Sequence, residues 1–207
     1  MKELRMRINA KLVPMALIAS LALAFASASA AASRRLEVNM NFLQLLAAAL
    51  VFTSPEIEAP ITCEVLREIR LNRTIEKRVG AEMGAIVAAF TLRPCTGGSL
   101  TFLGLPWPIQ YDGFNGTLPR ITGIRIRVVN MAVLVVATGG LARCLYRGTL
   151  GMTLNVNERS EISSSTASEA SMVPLATQLA GSLFCPRVGA IRGNLERRLN
   201  NVLVRLL

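Results

Sequence analysis

The chain has 207 residues, 52% of them hydrophobic and 17% charged, which fits one globular domain and excludes a disordered chain. It contains no His, and Asp112 is its only Asp, so Ser-His-Asp hydrolysis, Cys-His proteolysis and His-ligated zinc are excluded. The formal net charge of +10 permits binding to an anionic wall or membrane surface through long-range attraction, although soluble charge on outward faces is the plainer reading.

The first thirty residues read as a secretory signal. Lys2, Arg5, Arg7 and Lys11 form a basic head, Leu12 to Phe25 an apolar stretch, and Ala26 to Ala30 a run of small residues. Ala28-Ser29-Ala30 fits the small-x-small cleavage pattern, with the mature chain starting at Ala31. The rival is an uncleaved anchor, since Leu12 to Ala32 is long enough to span a bilayer. Its Ala/Ser end is only weakly hydrophobic and favours cleavage. Removing residues 1–30 leaves 19 basic and 12 acidic groups, a net of +7, with Lys77 the only lysine.

Residues 31–49 read as a lead-in. Within it begins the apolar run Phe42 to Phe52, expected as a buried helical turn or two feeding a strand at Leu50–Thr53. A single β domain is expected over 50–207. Ile61 to Leu66 alternates as a strand, Leu71 to Val79 is polar on both faces and reads as an edge strand, and Ala85 to Leu92 reads as a central one. Residues 99–104 and 107–111 are short strand candidates broken by Gly104 and Pro106. Ile121 to Val136 is the clearest strand, its Ile124, Ile126 and Val128 opposing Arg125 and Arg127; beyond Asn130 both faces are apolar, which implies cover on both sides or a kink. Gly139-Gly140 signals a hairpin returning through Leu141 to Tyr146, and Leu150 to Val156 alternates again. Arg159 to Ser171, with seven Ser or Thr in thirteen residues, reads as an exposed loop. The tail at 195–207 fits either a helical face or, after Asn200-Asn201, a turn and strand; strand is chosen because the rest is β. The expected fold is all-β, an antiparallel sandwich or barrel of about nine or ten short strands after an N-terminal signal helix.

Cys63, Cys95, Cys144 and Cys185 all fall in the mature part, and an even count in an exported chain reads as two disulfides. Three pairings are open. Cys63–Cys95 with Cys144–Cys185 is favoured, because sequence-local bridges close loops of about 30–40 residues, each worth about 3–4 kcal/mol in chain entropy.

Six local motifs occur in order: Cys63-Glu64-Val65-Leu66, Cys95-Thr96-Gly97-Gly98, Leu105-Pro106-Trp107, Phe114-Asn115-Gly116-Thr117-Leu118-Pro119, Cys144-Leu145-Tyr146 and Phe184-Cys185-Pro186. Together they resemble a group of uncharacterised secreted, disulfide-bearing, β-rich proteins of soil actinobacteria, over roughly residues 50–207. The resemblance implies export and a disulfide-bearing β domain and carries no activity.

Residues 102–114 hold Phe102, Trp107, Tyr111 and Phe114, four of the chain's ten aromatics. An exposed Trp107–Tyr111 platform beside Gln110, Asp112 and Asn115 would stack on sugar rings; the plainer reading makes both rings core anchors. A glycosidase needs two carboxyls about 5–10 Å apart, and Glu56, Glu58, Glu64 and Glu68 show no such spacing. The expectation is a non-catalytic protein with no cofactor and no metal. Its leading role is envelope or surface interaction with an anionic cell wall or membrane. The alternative is a soluble extracytoplasmic carrier of a small apolar ligand or glycan, with a carbohydrate hydrolase lacking histidine a distant third. The arginines are scattered, so nucleic acid is not an expected partner. Oligomeric state and ligand are left open.

Overall fold

A computed structural model of the chain describes residues 35–55, 59–118, 120–140, 143–174, 185–186 and 188–206. The signal segment, its cleavage point at Ala30, and Glu56 and Glu58 fall outside the described residues. Among the described residues all regular structure is β. In chain order the strands are β1 (Arg35–Val38), β2 (Phe42–Thr53), β3 (Ile61–Leu71), β4 (Thr74–Glu76), β5 (Glu82–Thr91), β6 (Gly98–Leu103), β7 (Trp107–Thr117), β8 (Arg120–Ala137), β9 (Arg143–Val156), β10 (Ile162–Pro174), β11 (Gly189–Leu199) and β12 (Val204–Leu206).

Nine strands close into an antiparallel barrel. The pairing runs β8-β7-β5-β3-β2-β11-β10-β9 and returns from β9 to β8. β6 pairs with the second half of β8 and β7 with its first half, so β6 and β7 run the same way and share one wall position. The barrel thus has eight wall positions, filled almost in chain order. The pair that seals it, β2 with β11, joins the first wall strand to the last.

The period of two explains the wall. Along β3, Ile61, Cys63, Val65, Arg67, Ile69 and Leu71 are buried, whereas Thr62, Glu64, Glu68 and Arg70 are not. Along β9, Cys144, Tyr146, Leu150, Met152, Leu154 and Val156 are buried. The inward faces form one apolar core, and the charged side chains of β3, β8 and β9, Arg67 excepted, lie on outward faces, the reverse of a lipid-facing barrel. On β8 the phase slips at Asn130, which has φ 58°, and the register jumps from Val128 to Met131. That bulge is the kink the apolar run implied.

The two ends are closed differently. At one end a three-stranded antiparallel sheet, β12-β1-β4, adds Leu36, Val38, Ile75 and Val204 to the core. Asn39 ties it to the tail: the Leu203 N–H donates to Asn39 Oδ1 at 2.6 Å, and Asn39 Nδ2 donates to the Asn201 carbonyl at 3.3 Å. At the other end sit both disulfides, Cys63–Cys95 and Cys144–Cys185, with Cα separations of 4.4 and 5.5 Å. There Gly189 makes room for a ring: a Cβ on it would stand 2.5 Å from Phe52, which packs 5.1 Å from Tyr146.

Several expectations are corrected. Phe42 to Thr53 is strand throughout, so residues 35–49 supply β1 and most of β2 and are part of the fold rather than a lead-in. The Ser/Thr-rich stretch expected as a loop is β10, a wall strand. Leu71 ends β3, and Thr74–Glu76 is an edge strand of the small sheet. The stretches around Tyr146 and Leu150 are one strand, β9. Among the described residues there are twelve strands in place of nine or ten, and the choice between sandwich and barrel falls to the barrel.

Candidate functional site

The structure does not gather the aromatic platform. Trp107 and Tyr111 point into the barrel and are 0% and 3% exposed. Trp107 Nε1 donates to the Leu103 carbonyl at 2.8 Å, and its ring meets Phe102 edge-on at 5.9 Å. Burial raises the Tyr111 hydroxyl above its ordinary pKa, against the opposing pull of Arg125. Asp112 and Asn115 turn to the other face: Asp112 Oδ1 lies 3.3 Å from Arg127 Nε, and Asn115 Oδ1 accepts from Arg125 Nη1 at 3.4 Å. The remaining carboxylate candidates are also engaged, Glu64 with Arg93 at 3.3 Å and Glu68 with the Gln44 amide at 2.8 Å. Among the described residues, no three His, Cys, Asp or Glu side chains are grouped to hold a metal ion.

The unusual chemistry lies inside the wall. Arg67 continues the inward phase of β3, stands in one row with Leu45 and Ala89, and is fully buried. β3 and β9 are four wall positions apart, on opposite sides of the barrel, so the side chain crosses the interior: Arg67 Nη1 lies 3.6 Å from Met152 Sδ, a weak acceptor. Its Nε and Nη2 have no hydrogen-bond partner. Burial lowers its pKa to about 10. An uncompensated buried charge costs about 3–5 kcal/mol. Ser165, inward on β10, is likewise fully buried with an unpartnered hydroxyl. With Ser54 these are the buried polar residues among those described.

The wall is interrupted near this charge. β2 and β11 pair at Phe52–Ile191 and Val51–Arg192, then again at Leu46–Glu196, with no registered pair between. β10 bulges at the same level, between Ala167 and Ala170. A groove of about 570 Å³ lies over this stretch, lined by Leu46, Ala48, Ala49 and Val51 of β2, Ala167 of β10, and Arg192, Gly193, Asn194 and Glu196 of β11.

A second feature is the outward face of β8 and β9. Arg125, Arg127, Arg143 and Arg147 stand there, and neither strand contains an acidic residue. Asp112 of β7 is the carboxylate beside them, paired to Arg127.

Sequence reading missed Arg67. The signal was present, because the apolar phase 61, 63, 65, 69, 71 passes through position 67. The seam groove had no such signal, since it depends on which strands meet. Comparison of the chain with protein-family models, with curated proteins and with solved structures finds no match.

Proposed function

We propose that this protein is a non-catalytic, extracytoplasmic binding barrel that holds one small, mainly apolar ligand within its wall. The observation that carries the reading is the buried Arg67 guanidinium, unpartnered on two of its nitrogens in a largely apolar core. Eight-position barrels are wide enough to fill with side chains or to take one small ligand. A charge without a partner at the centre of one points to a group that arrives from outside the chain. Both disulfides and the signal-like first thirty residues support export. The test is a native mass spectrum of the full chain expressed in a bacterial host and recovered without reductant. The expected species starts at Ala31, is lighter by the hydrogens of two disulfides, and carries a small adduct that denaturation releases. A bare chain that also takes up no apolar probe would sink the ligand-holding reading.

The β8–β9 arginine face favours a second reading, attachment to an anionic wall or membrane surface. It predicts retention on envelope material that high salt releases, and salt-insensitive free secretion would count against it.

A further inference from the structure

The strongest unassigned chemistry is the unpartnered edge of the Arg67 guanidinium. We infer that the barrel binds a monocarboxylate amphiphile through its seam, with the carboxylate on Arg67 and the hydrocarbon tail in the groove between β2 and β11. This assignment rests on the ligand-holding reading and adds to it the ligand's chemical class and its way in.

Three observations converge on it. First, the unpartnered nitrogens of Arg67 are Nε and Nη2, which lie along one edge of the guanidinium plane. Two parallel N–H donors on one edge are the geometry that grips a carboxylate bidentately. Met152 Sδ meets Nη1 and takes neither of these two donors. Second, among the described residues the core-facing side chains are apolar apart from Arg67, the buried Ser165 hydroxyl and, at the capped end, Arg197, which is already paired to Glu161. One positive charge neutralises one negative charge. A dianion would leave a net charge in the core, and a neutral ligand would leave the guanidinium uncompensated.

Third, the groove lies against the stretch of wall that carries Ala167. Four residues of β2, Ala47 to Leu50, stand opposite three of β11, Gly193 to Leu195, without ladder pairs. The lining from β2 is Leu46, Ala48, Ala49 and Val51, which suits a hydrocarbon chain, while Arg192, Asn194 and Glu196 of β11 make the facing side polar. Ala167 also lines the groove, yet it is only 5% exposed and pairs in register with Met152. Groove, Ala167, Met152 and guanidinium are therefore successive neighbours. Ser165 lies two residues from Ala167 on the same strand, fully buried, and supplies a further donor.

The experiment titrates the delipidated full-length protein with laurate and, separately, with dodecanol, which has the same chain and a neutral head. Laurate is expected to fill one site and to bind about 10- to 100-fold more tightly, the worth of a charge-assisted bidentate pair. Arg67→Met is expected to erase that preference and leave dodecanol binding unchanged. Arg67→Lys keeps the charge without the fork and is expected to lose about tenfold for laurate, so a single unfolded variant does not stop the test. Ala49→Trp, at an exposed position, fills the groove and is expected to weaken both probes.

Equal binding of laurate and dodecanol would overturn the carboxylate assignment and leave the ligand-holding reading standing. Binding of neither would overturn both. Unchanged affinities in Ala49→Trp would overturn entry through the seam.

Discussion

Two arginines point into this barrel from neighbouring parts of the wall, and only one has been given a charged partner. Arg197, on β11, pairs in register with Leu45 and follows the inward phase of Ile191 and Leu195. Its Nη1 donates to Glu161 Oε2 at 3.4 Å and to the Ile162 carbonyl at 3.1 Å. Glu161 is itself held by Asn157, whose Nδ2 donates to Glu161 Oε2 at 3.2 Å and whose Oδ1 accepts the Glu161 N–H at 2.9 Å. In that assembly Arg197 and Glu161 answer each other's charge. Arg67 sits deeper, costs more to bury, and faces a thioether. The difference teaches that this chain can build a partnered interior ion pair at one arginine and yet leave another, more deeply buried, with a thioether alone.

The largest perturbation of this contrast removes the support of one side. Cys63 anchors the start of β3, the strand that carries Arg67. Cys63→Ser with Cys95→Ser is expected to cost about 2–5 kcal/mol in urea unfolding. The ion pair at Arg197, at the other end, should stay intact in the folded fraction. A loss far below that range would show that the strand is held without the bridge.

Next in size is Arg67→Met. Replacing an unpaired buried charge by an apolar chain of similar length is expected to stabilise the ligand-free protein by about 1–4 kcal/mol. The corresponding Arg197→Met should do the opposite, since it strands Glu161. If Arg67→Met also destabilised the ligand-free protein, the two arginines would be alike, and the contrast would collapse.

The smallest effect is in acid. The Asn157 amide and then Arg197 hold the Glu161 carboxyl below its ordinary 4.5, burial opposing them. A carboxyl whose folded pKa is depressed stabilises the fold above its unfolded value and loses that contribution as pH falls through the folded one. The stability difference between the wild type and Glu161→Gln should therefore be constant near neutrality and vanish as the pH falls below 4.5. Arg67, with no carboxylate beside it, should add nothing to that acid limb.

How much was legible in the sequence depends on how each strand meets its neighbours. β8 was plain, because Ile124, Ile126 and Val128 alternate with Arg125 and Arg127. The cysteine pairing followed from loop length. β2 was obscured because its outward residues Leu46, Ala48, Ala49 and Val51 are apolar too, which hides the period of two behind a continuous run. β10 looked like a loop because its serines seemed to need water. Those on the outward face find partners across the strand instead: Asn155 Nδ2 donates to Ser164 Oγ at 2.9 Å and to Thr166 Oγ1 at 3.3 Å, and Ser163 Oγ donates to the Asn155 carbonyl at 3.3 Å. Of the site, Arg67 was readable from phase alone. The groove needed the knowledge that β2 meets β11.

That meeting has a consequence for how the chain reaches its native state. β2 emerges early from synthesis, and its partner Ile191 follows Phe52 only after every other wall strand has been made. Until then one edge of β2 has no neighbour, and the strand is apolar on both faces. Closure by so distant a contact is slow, and an apolar strand with a free edge is the segment most apt to pair with another chain in the interval. The irregular middle of β2, where Ala47 to Leu50 break the register, interrupts the straight edge that such mispairing would need. The gap that opens the finished wall thus also shields the unfinished one.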